Sequence, residues 1–229
     1  MGKHIEQIAL ERGHSVSVKI NSSNKEDIEL IKSDDVAIEF TSPTAAIDNY
    51  RKLADNKIPT VTGTTGWHVR ENEIFEAFKA SSTPFFYASN FSVGVHIFRK
   101  INTFLARAMN QFPEYNASIE EWHHTEKKDS PSGTAITLGR DLIEANKNYK
   151  ALAPDRDSEK GELPVTGYRE KDVTGKHLVN YKSEIDQISI EHEAFNRDGF
   201  ALGAVLAAEF IKDQSDGIFT MNDLIKLNA

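Results

Sequence analysis

The sequence predicts an α/β protein in which a parallel-sheet domain is interrupted by an inserted α+β domain. Strand-like and helix-like segments alternate through residues 1–91, which is typical of right-handed βαβ units. Residues 92–196 instead combine a long amphipathic helix with segments that alternate like antiparallel strands. Residues 197–229 begin with a helix of small residues, which suits packing on a sheet. We therefore predict that this last segment returns to the first domain.

Capping and breaking residues define the elements of the first domain. An N-terminal helix has a short apolar face that contains Ile5, Ile8 and Ala9, and Gly13 is its natural stop. A further helix begins after Ser42, an N-cap residue that is followed by a first-turn proline. The predicted strands are 15–20, 35–40, 58–66 (ending in a turn of small residues) and 84–88, and the later helices are 25–32, 43–56 and 70–81.

The remaining elements follow from the same apolar periodicities. The predicted helices are 92–110, 132–147, 198–212 and 220–228, and the predicted strands are 115–124, 176–183 and 184–195. Thr220 is the expected N-cap of the last helix, with Asp223 three residues further on. Residues 154–176 contain prolines, glycines and mixed charges with little periodicity, so we predict a long loop there and a candidate lid.

Composition excludes several classes of function. The 229 residues include 27 basic and 35 acidic side chains, and the net charge of −8 argues against nucleic-acid binding and against binding to an anionic membrane. Cysteine is absent, which excludes disulfides, thiol nucleophiles and cysteine-ligated zinc. The sequence has no apolar run of about 20 residues and no signal peptide at its N-terminus, so we expect a cytoplasmic protein.

The segment EEWHHTEKKDSPSGTA (120–135) concentrates two histidines, two lysines and the start of a helix. If 115–124 is a strand, His123 and His124 point to opposite faces and have different roles. Free amides at Ser132, Gly133 and Thr134 would form an anion site at the helix N-terminus. A carboxylate or phosphate is then the expected ligand, and a histidine is able to pass it a proton.

Less specific interpretations of this segment remain open. SPSG is also an ordinary helix cap, and the lysines are also compatible with a solvated face. A zinc site is disfavoured because adjacent histidines rarely share a metal, and the sequence has no H-x-x-x-H motif. We therefore predict no metal.

Two further segments have the composition of ligand-binding turns. VTGTTGW (61–67) places glycine and threonine after a predicted parallel strand, where ligands approach the backbone closely. ASNFSVGV (88–95) joins another strand end to a helix start. An ordinary turn and an N-cap are the alternative interpretations of these two segments.

Together these segments resemble the dihydrodipicolinate reductase family of the diaminopimelate and lysine pathway. The residues that carry the resemblance are GTTG (63–66), NFSVGV (90–95), EEWHHTEKKDSPSGTA (120–135) and RDGFALGAVLAAEFI (197–211), and the similarity extends over essentially the whole chain. The resemblance implies a Rossmann-like dinucleotide-binding domain at 1–91, a substrate-binding and oligomerisation domain at 92–196, and C-terminal helices at 197–229. It further implies a homotetramer that reduces a cyclic dicarboxylate to tetrahydrodipicolinate with NADPH or NADH.

The resemblance also implies roles for individual residues. His123 corresponds to the catalytic proton donor and Lys127 to its partner, whereas Lys128 has no place in the family pattern and is expected to be exposed. The expected substrate-binding residues are His124, Gly133 and Thr134. The expected cofactor-binding residues are Met1, Gly63, Thr64, Thr65, Ala88, Ser89, Asn90 and Phe91.

The N-terminus departs from the family pattern. The family begins with a strand and a glycine-rich turn, of which only Met1 and Gly2 are found here. Without that strand the parallel sheet lacks its first member and much of the amide cradle for the cofactor pyrophosphate. We expect that the sequence starts at an internal methionine; the alternative, a genuinely short form, predicts weak cofactor binding and poor stability.

The segment 18–24 has no acidic residue, and Lys19 with Asn21 and Ser22 would tolerate a 2′-phosphate, so the sequence allows both NADPH and NADH.

Two other functions remain as alternatives. A different two-domain nicotinamide dehydrogenase, acting on amino or keto acids, would use the same sheet but would not need His123, His124 and Lys127 together. A catalytically impaired dicarboxylate-binding or scaffold protein is the second alternative, because of the short N-terminus. The strands at 176–195 would leave a free sheet edge unless another subunit pairs with it, so the residues themselves suggest association.

Overall fold

The computed structural model describes residues 1–31 and 35–226, which form two compact units. Unit 1 comprises Met1–Val93 with Arg197–Ala229, and unit 2 comprises Gly94–Asn196. In chain order, the helices are α1 (Gly2–Glu11), α2 (Pro43–Asp55), α3 (Glu71–Ala80), α4 (Val93–Met109), α5 (Gly133–Ala145), α6 (Asp198–Lys212) and α7 (Met221–Leu224), with 3-10 helices at Lys25–Leu30 and His68–Arg70. The strands are β1 (Ala37–Glu39), β2 (Thr60–Thr62), β3 (Phe85–Tyr87), β4 (Asn116–His123), β5 (Ala151–Pro154), β6 (Glu162–Arg169), β7 (Gly175–Lys182), β8 (Gln187–Ala194) and β9 (Ile218–Phe219).

Unit 1 is built on a parallel sheet with the order β1-β2-β3-β9. Successive residues of a strand point to opposite faces, so Phe85 and Phe86 belong to different core clusters. One cluster joins Phe86 to α1 and α6, and the other joins Phe85 to α2 and α3. Helices therefore cover both faces of the sheet, and the predicted α/β class with a Rossmann-like parallel sheet is confirmed.

The segment 15–20 is not a strand, contrary to the prediction from its alternating residues. Val16 and Ile20 each remain 37% exposed, and no strand of the described residues pairs with this segment. An isolated extended segment has no ladder to satisfy its backbone groups, so alternation alone does not make it a strand. The two-residue strand β9, which pairs with β3 at the edge of the sheet, was not predicted.

Two predicted helices of unit 1 differ in type or length. The helix predicted at 25–32 is a 3-10 helix at Lys25–Leu30, and its residue 32 lies outside the described residues. The last helix spans only Met221–Leu224 but has the predicted capping box between Thr220 and Asp223, and residues 227–228 of the prediction are outside the described part. The other helices of this unit lie within a few residues of their predicted bounds.

Unit 2 is a five-stranded mixed sheet with the order β5-β6-β4-β7-β8. Strand β4 is parallel to β6 and antiparallel to β7, which is in turn antiparallel to β8. Helices α4 and α5 share a core with one face of this sheet, around Ile119, Leu138 and Val179. The opposite face carries a stacked pair, Trp122 and Tyr168. The sheet thus has one face covered by helices of its own unit and one that is not.

The loop predicted at 154–176 is wrong, because β6 occupies its middle and lies between β5 and β4. Leu163 and Val165 are fully buried, so this strand is part of the core rather than a lid. Pro164 and Gly167 interrupt the local pattern, and the strand depends on pairing with β4, in which Ile119 lies opposite Val165 although the two are 46 residues apart in the chain. No helix of the described residues is long and apolar enough to cross a membrane.

Candidate active site

A polar cluster lies at the end of β4, on the sheet face that the helices of unit 2 cover. Glu121 and His123 are two residues apart on this strand, so both side chains point to the same face. The strand register places His177 of β7 opposite Glu121 and Arg169 of β6 opposite His123. Three neighbouring strands therefore bring a carboxylate, two imidazoles and a guanidinium together.

Glu121 is the centre of this cluster. Its side chain is fully buried and accepts hydrogen bonds from His123 Nδ1, from Arg169 Nη1 at 2.9 Å and from the Ser132 amide at 3.1 Å. Burial raises the pKa of this carboxyl, but the hydrogen bonds from His123 and Arg169 outweigh burial and hold the pKa below its usual value. Glu121 is therefore a buried carboxylate that is kept ionised by its neighbours.

His177 is the second imidazole of the cluster and stays neutral. Burial, followed by the proximity of His123, lowers the pKa of His177 to about 3. Its Nε2 lies 3.1 Å from the Ser132 hydroxyl, and its ring centre lies 5.2 Å from that of His123. His177 therefore does not exchange a proton at neutral pH.

Two glycines provide the space for these side chains. Gly167 lies opposite Glu121 on β6, and a Cβ at this position would be 2.7 Å from Glu121 Oε1. A Cβ at Gly175 would be 3.0 Å from His123 Nε2. Both distances are shorter than ordinary carbon–heteroatom contacts, so larger residues here would displace the carboxylate or the imidazole.

The start of α5 holds the amides of Ser132, Gly133 and Thr134, which the sequence predicts to be free, but the first two already have partners in the structure. The Ser132 hydroxyl caps the helix by accepting from the Ala135 amide at 3.1 Å, while the Ser132 amide is bonded to Glu121. The Thr134 amide has no hydrogen-bond partner among the described residues. The Gly133 amide lies near the Asp129 carboxylate and contributes to lowering its pKa, after the larger effect of Lys127. A carboxylate thus already lies at the N-terminus of this helix.

The predicted partner of His123 has a different contact. Lys127 Nζ donates to Asp129 Oδ1 at 2.8 Å and to Oδ2 at 2.9 Å, and no hydrogen bond joins it to His123 among the described residues. His124 lies just beyond β4, and its carbonyl accepts from the Lys127 amide at 3.1 Å. Lys128 is exposed, as expected. The loop therefore directs Lys127, but not Lys128, toward the acidic side chain at the helix start.

The cluster also has the donor types of a metal site. Atoms of Glu121, His123 and His177 lie within 4.8 Å of one another. The Arg169 guanidinium contacts the same carboxylate, and the Ser132 hydroxyl contacts His177 Nε2. A cation bound here would lie beside a fixed positive charge, so the arrangement suits proton transfer rather than metal binding.

In unit 1, the turn after β2 lines a cavity of about 280 Å³. Its lining residues are Met1, Phe40, Thr41, Pro43, Gly63, Thr64 and Thr65. A Cβ at Gly63 would be 2.1 Å from the Phe40 ring, so a larger residue here would displace that ring from the cavity wall. Four of the expected cofactor-binding residues therefore surround one cavity, at the carboxyl ends of β1 and β2, where ligands of parallel sheets bind.

A buried acid that sequence reasoning missed supports this turn. Glu39, at the end of β1, accepts hydrogen bonds from the hydroxyls of Thr62 and Thr64 at 2.8 Å and from that of Tyr50 at 3.1 Å. The Thr64 hydroxyl in turn accepts from the Thr41 amide at 2.8 Å. These hydrogen bonds hold the threonine side chains of the turn in one orientation.

The other expected cofactor-binding segment, 88–91, follows β3 and does not line this cavity. The Ala88 amide donates to Thr62 carbonyl oxygen at 3.1 Å, and Asn90 Oδ1 accepts from the Ser92 amide at 2.8 Å. Ser89 is exposed, whereas Phe91 is buried in the core. Any ligand contact of Phe91 is therefore limited to its backbone.

Comparison with protein families matches both parts of the chain. Residues 1–91 match the family model described as "Dihydrodipicolinate reductase, N-terminus", and residues 94–225 match "Dihydrodipicolinate reductase, C-terminus". The two matches together span nearly the entire sequence.

Known proteins agree with these matches. The chain is 44% identical to the 4-hydroxy-tetrahydrodipicolinate reductase of Christiangramia forsetii, over 98% of this chain and 93% of that protein. It is 34% identical to the protein of the same name from Alkaliphilus oremlandii, over 84% of this chain and 80% of that one. Among solved structures, a dipicolinate-bound dihydrodipicolinate reductase from Paenisporosarcina sp. TG-14 has the same fold, with a TM-score of 0.68, 20% identity, and coverage of 83% of this chain and 74% of that chain.

Proposed function

The chain belongs to the dihydrodipicolinate reductase family, and from this we propose that it reduces 4-hydroxy-tetrahydrodipicolinate to tetrahydrodipicolinate with NADPH or NADH. The names of substrate and product define the net change, in which a hydroxyl is replaced by hydrogen. One hydride and one proton are consumed, and one water leaves. The observation that carries the proposal is the cluster around Glu121 and His123 beside the start of α5.

Binding of the two substrate carboxylates is assigned to the start of α5 and the preceding loop. The Thr134 amide and the positive end of the helix dipole favour an anion, as does the Gly133 amide. Lys127 supplies a cation next to these two amides, and its ammonium is bonded to Asp129. His124 is the third proposed contact of the substrate. A dicarboxylate would exchange with Asp129 for the Lys127 ammonium.

Proton delivery is assigned to His123. Its side chain is 12% exposed, so it is accessible from solvent, and its Nδ1 is fixed by Glu121. A histidine held in this way is suited to act as the general acid that supplies the proton consumed in the reduction. Lys127 would support this step by neutralising the substrate rather than by contacting His123.

The nicotinamide cofactor is assigned to unit 1 and supplies the hydride when bound. Met1, Gly63, Thr64 and Thr65 line the cavity that fits one ring of such a cofactor, and residues 88–91 are the second proposed contact. The amides at the start of α1 are suited to a phosphate. We propose that both NADPH and NADH are used, because residues 18–24 offer Lys19 and no acidic side chain near the expected adenosine ribose.

We further propose a cytoplasmic enzyme of the diaminopimelate and lysine pathway that acts as a homotetramer. The pathway follows from the names of the relatives. Association is supported by β8, which is an edge strand of its sheet with mostly exposed side chains.

A spectrophotometric assay tests the activity. Purified protein is mixed with enzymatically prepared 4-hydroxy-tetrahydrodipicolinate and with NADPH or NADH, and loss of reduced-cofactor absorbance is followed. We expect His123→Ala to lower kcat by about 10²- to 10⁴-fold, as for loss of a general acid, and Lys127→Ala mainly to raise KM. Lys128→Ala is the matched control and should leave both constants unchanged. Turnover only with other keto or amino acids, or binding without turnover, would contradict the proposal.

A further inference from the structure

The carboxylate of Glu121 contacts one particular nitrogen of His123. Nδ1 is hydrogen-bonded to Glu121 Oε2, whereas Nε2 has no hydrogen-bond partner among the described residues. Nε2 lies instead next to Gly175, where the missing side chain leaves room beside the ring. The two nitrogens of this imidazole therefore have different environments.

This difference determines where the exchangeable proton of His123 is carried. An ionised carboxylate only accepts hydrogen bonds, so Nδ1 must carry a hydrogen in both the neutral and the protonated imidazole. Gain and loss of a proton are then confined to Nε2. We propose that Glu121 is a positioning residue for the reduction, which fixes His123 as the Nδ1–H tautomer and makes Nε2 the atom that delivers the proton.

Glu121 needs support to act in this way, since an unpaired buried carboxylate would take up a proton. The guanidinium of Arg169 and the amide of Ser132 both donate to Glu121 Oε1, which leaves Oε2 for His123. Ser132 is also the N-cap of α5. The same carboxylate thus connects the imidazole to the helix start at which we propose that the substrate binds.

The proton balance of the step is simple. In protonated His123 both nitrogens carry hydrogen, and the Nε2–H bond breaks as the proton passes to the reacting substrate. The imidazole is left neutral, with its remaining hydrogen on Nδ1 and still bonded to Glu121. Solvent then returns a proton to Nε2. Glu121 itself neither gains nor loses a proton.

The tautomer is measured directly, independently of activity. Protein labelled with ¹⁵N-histidine is recorded in two-bond ¹H–¹⁵N correlation spectra at a pH where His123 is neutral, and a His123→Gln spectrum assigns its signals. We expect wild-type His123 to show a protonated Nδ1 and an unprotonated Nε2. Glu121→Gln, whose amide is able to donate as well as accept, should shift the population toward the Nε2–H form. A neutral wild-type His123 that carries its hydrogen on Nε2 would overturn the proposal, even if the variant fails to fold.

Kinetics provide the second readout, which rests on the proposed function. We expect Glu121→Gln to lower kcat at least about tenfold with KM changed less than about threefold, and Glu121→Asp, which keeps the charge, to retain more activity. Glu120→Gln is the matched control, because this neighbour points to the opposite face of β4. Equal kcat for Glu121→Gln and Glu120→Gln, with an unchanged His123 tautomer, would also overturn the proposal. Absence of turnover in the wild type would instead contradict the proposed function and leave the tautomer result standing.

Discussion

At the scale of single residues, the buried imidazole of His177 links the site to the stability of the protein. The unfolded chain protonates this histidine near pH 6.5, whereas burial and the proximity of His123 keep the folded one neutral until about pH 3. The unfolded state therefore binds more protons between these values, and stability falls as the pH is lowered through 6.5. Between pH 7 and pH 5 we expect His177 to reduce the free energy of unfolding by about 2 kcal/mol.

Urea denaturation of the wild type and of His177→Gln at pH 7 and pH 5 checks this contribution. From pH 7 to pH 5 the free energy of unfolding of the wild type should fall by about 2 kcal/mol more than that of the variant, because glutamine does not titrate. His192, whose pKa is also lowered mainly by burial, is present in both proteins and cancels in the comparison. Parallel pH dependence of the two proteins would contradict the assignment of His177 as a neutral buried group.

Residue types and spacing identified part of the site but not all of it. The helix cap at Ser132 and the exposed Lys128 follow from local sequence and are found in the structure. Glu121, Arg169 and His177 were not predicted as members of the site. Glu121 could have been found from its two-residue spacing to His123 on a predicted strand. Arg169 and His177 could not, because their positions depend on the register of β4 with β6 and β7.

At the scale of elements, the close packing of α6 on the segment after β3 is the strongest steric requirement in unit 1. A Cβ at Gly203 would be 1.7 Å from the Phe91 carbonyl oxygen, so alanine requires the backbone to move. Such overpacking typically costs about 1–3 kcal/mol, and sometimes more. We expect Gly203→Ala to lower the free energy of unfolding by at least this amount.

Gly199→Ala is a matched control on the same helix. Its Cβ would be 3.9 Å from the Ser92 hydroxyl, an ordinary contact, and alanine is favoured over glycine within a helix by up to about 1 kcal/mol. Thermal unfolding monitored by circular dichroism should therefore show a lower midpoint for Gly203→Ala and an equal or higher one for Gly199→Ala. Two similar midpoints would contradict the inferred contact between α6 and Phe91.

Element prediction succeeded where local periodicity and packing agree. Helices such as α2, with its Ser42 cap, and α4 have an apolar face that is set by their own sequence. The predictions for segment 15–20 and for strand β6 were both wrong, and for the same reason. The first alternates like a strand but has no pairing partner among the described residues, and the second lacks alternation but is held between β5 and β4. Strand formation depends on a neighbouring strand, which for β6 is distant in sequence, and a single segment does not reveal that neighbour.

At the scale of the whole molecule, one face of the unit 2 sheet is available for contact between subunits. Both α4 and α5 share the core on one of its faces, and the other face carries the Trp122–Tyr168 pair, whose ring centres are 5.0 Å apart. Tyr168 keeps 40% of its surface exposed, and Leu178 of β7 points to the same face because it alternates with His177 and Val179. The same face also carries the Lys176–Glu191 ion pair, with the Lys176 ammonium over the Trp122 ring. A face that combines aromatic, aliphatic and paired charged side chains, next to the edge strand β8, is suited to contact another subunit.

We therefore predict that Leu178→Arg weakens the proposed homotetramer, because it replaces an aliphatic side chain of this face with a longer, unpaired cation. Size-exclusion chromatography with light scattering at micromolar concentration should give about four chain masses for the wild type and a smaller species for the variant. Ile185→Arg is the control: this residue lies in the turn between β7 and β8 and is 88% exposed, so arginine there should not change the mass. A wild-type monomer would contradict the tetramer, and an unchanged tetramer in Leu178→Arg would exclude this face as the interface. The two outcomes are distinguishable because the first concerns the existence of the assembly and the second only the surface that forms it.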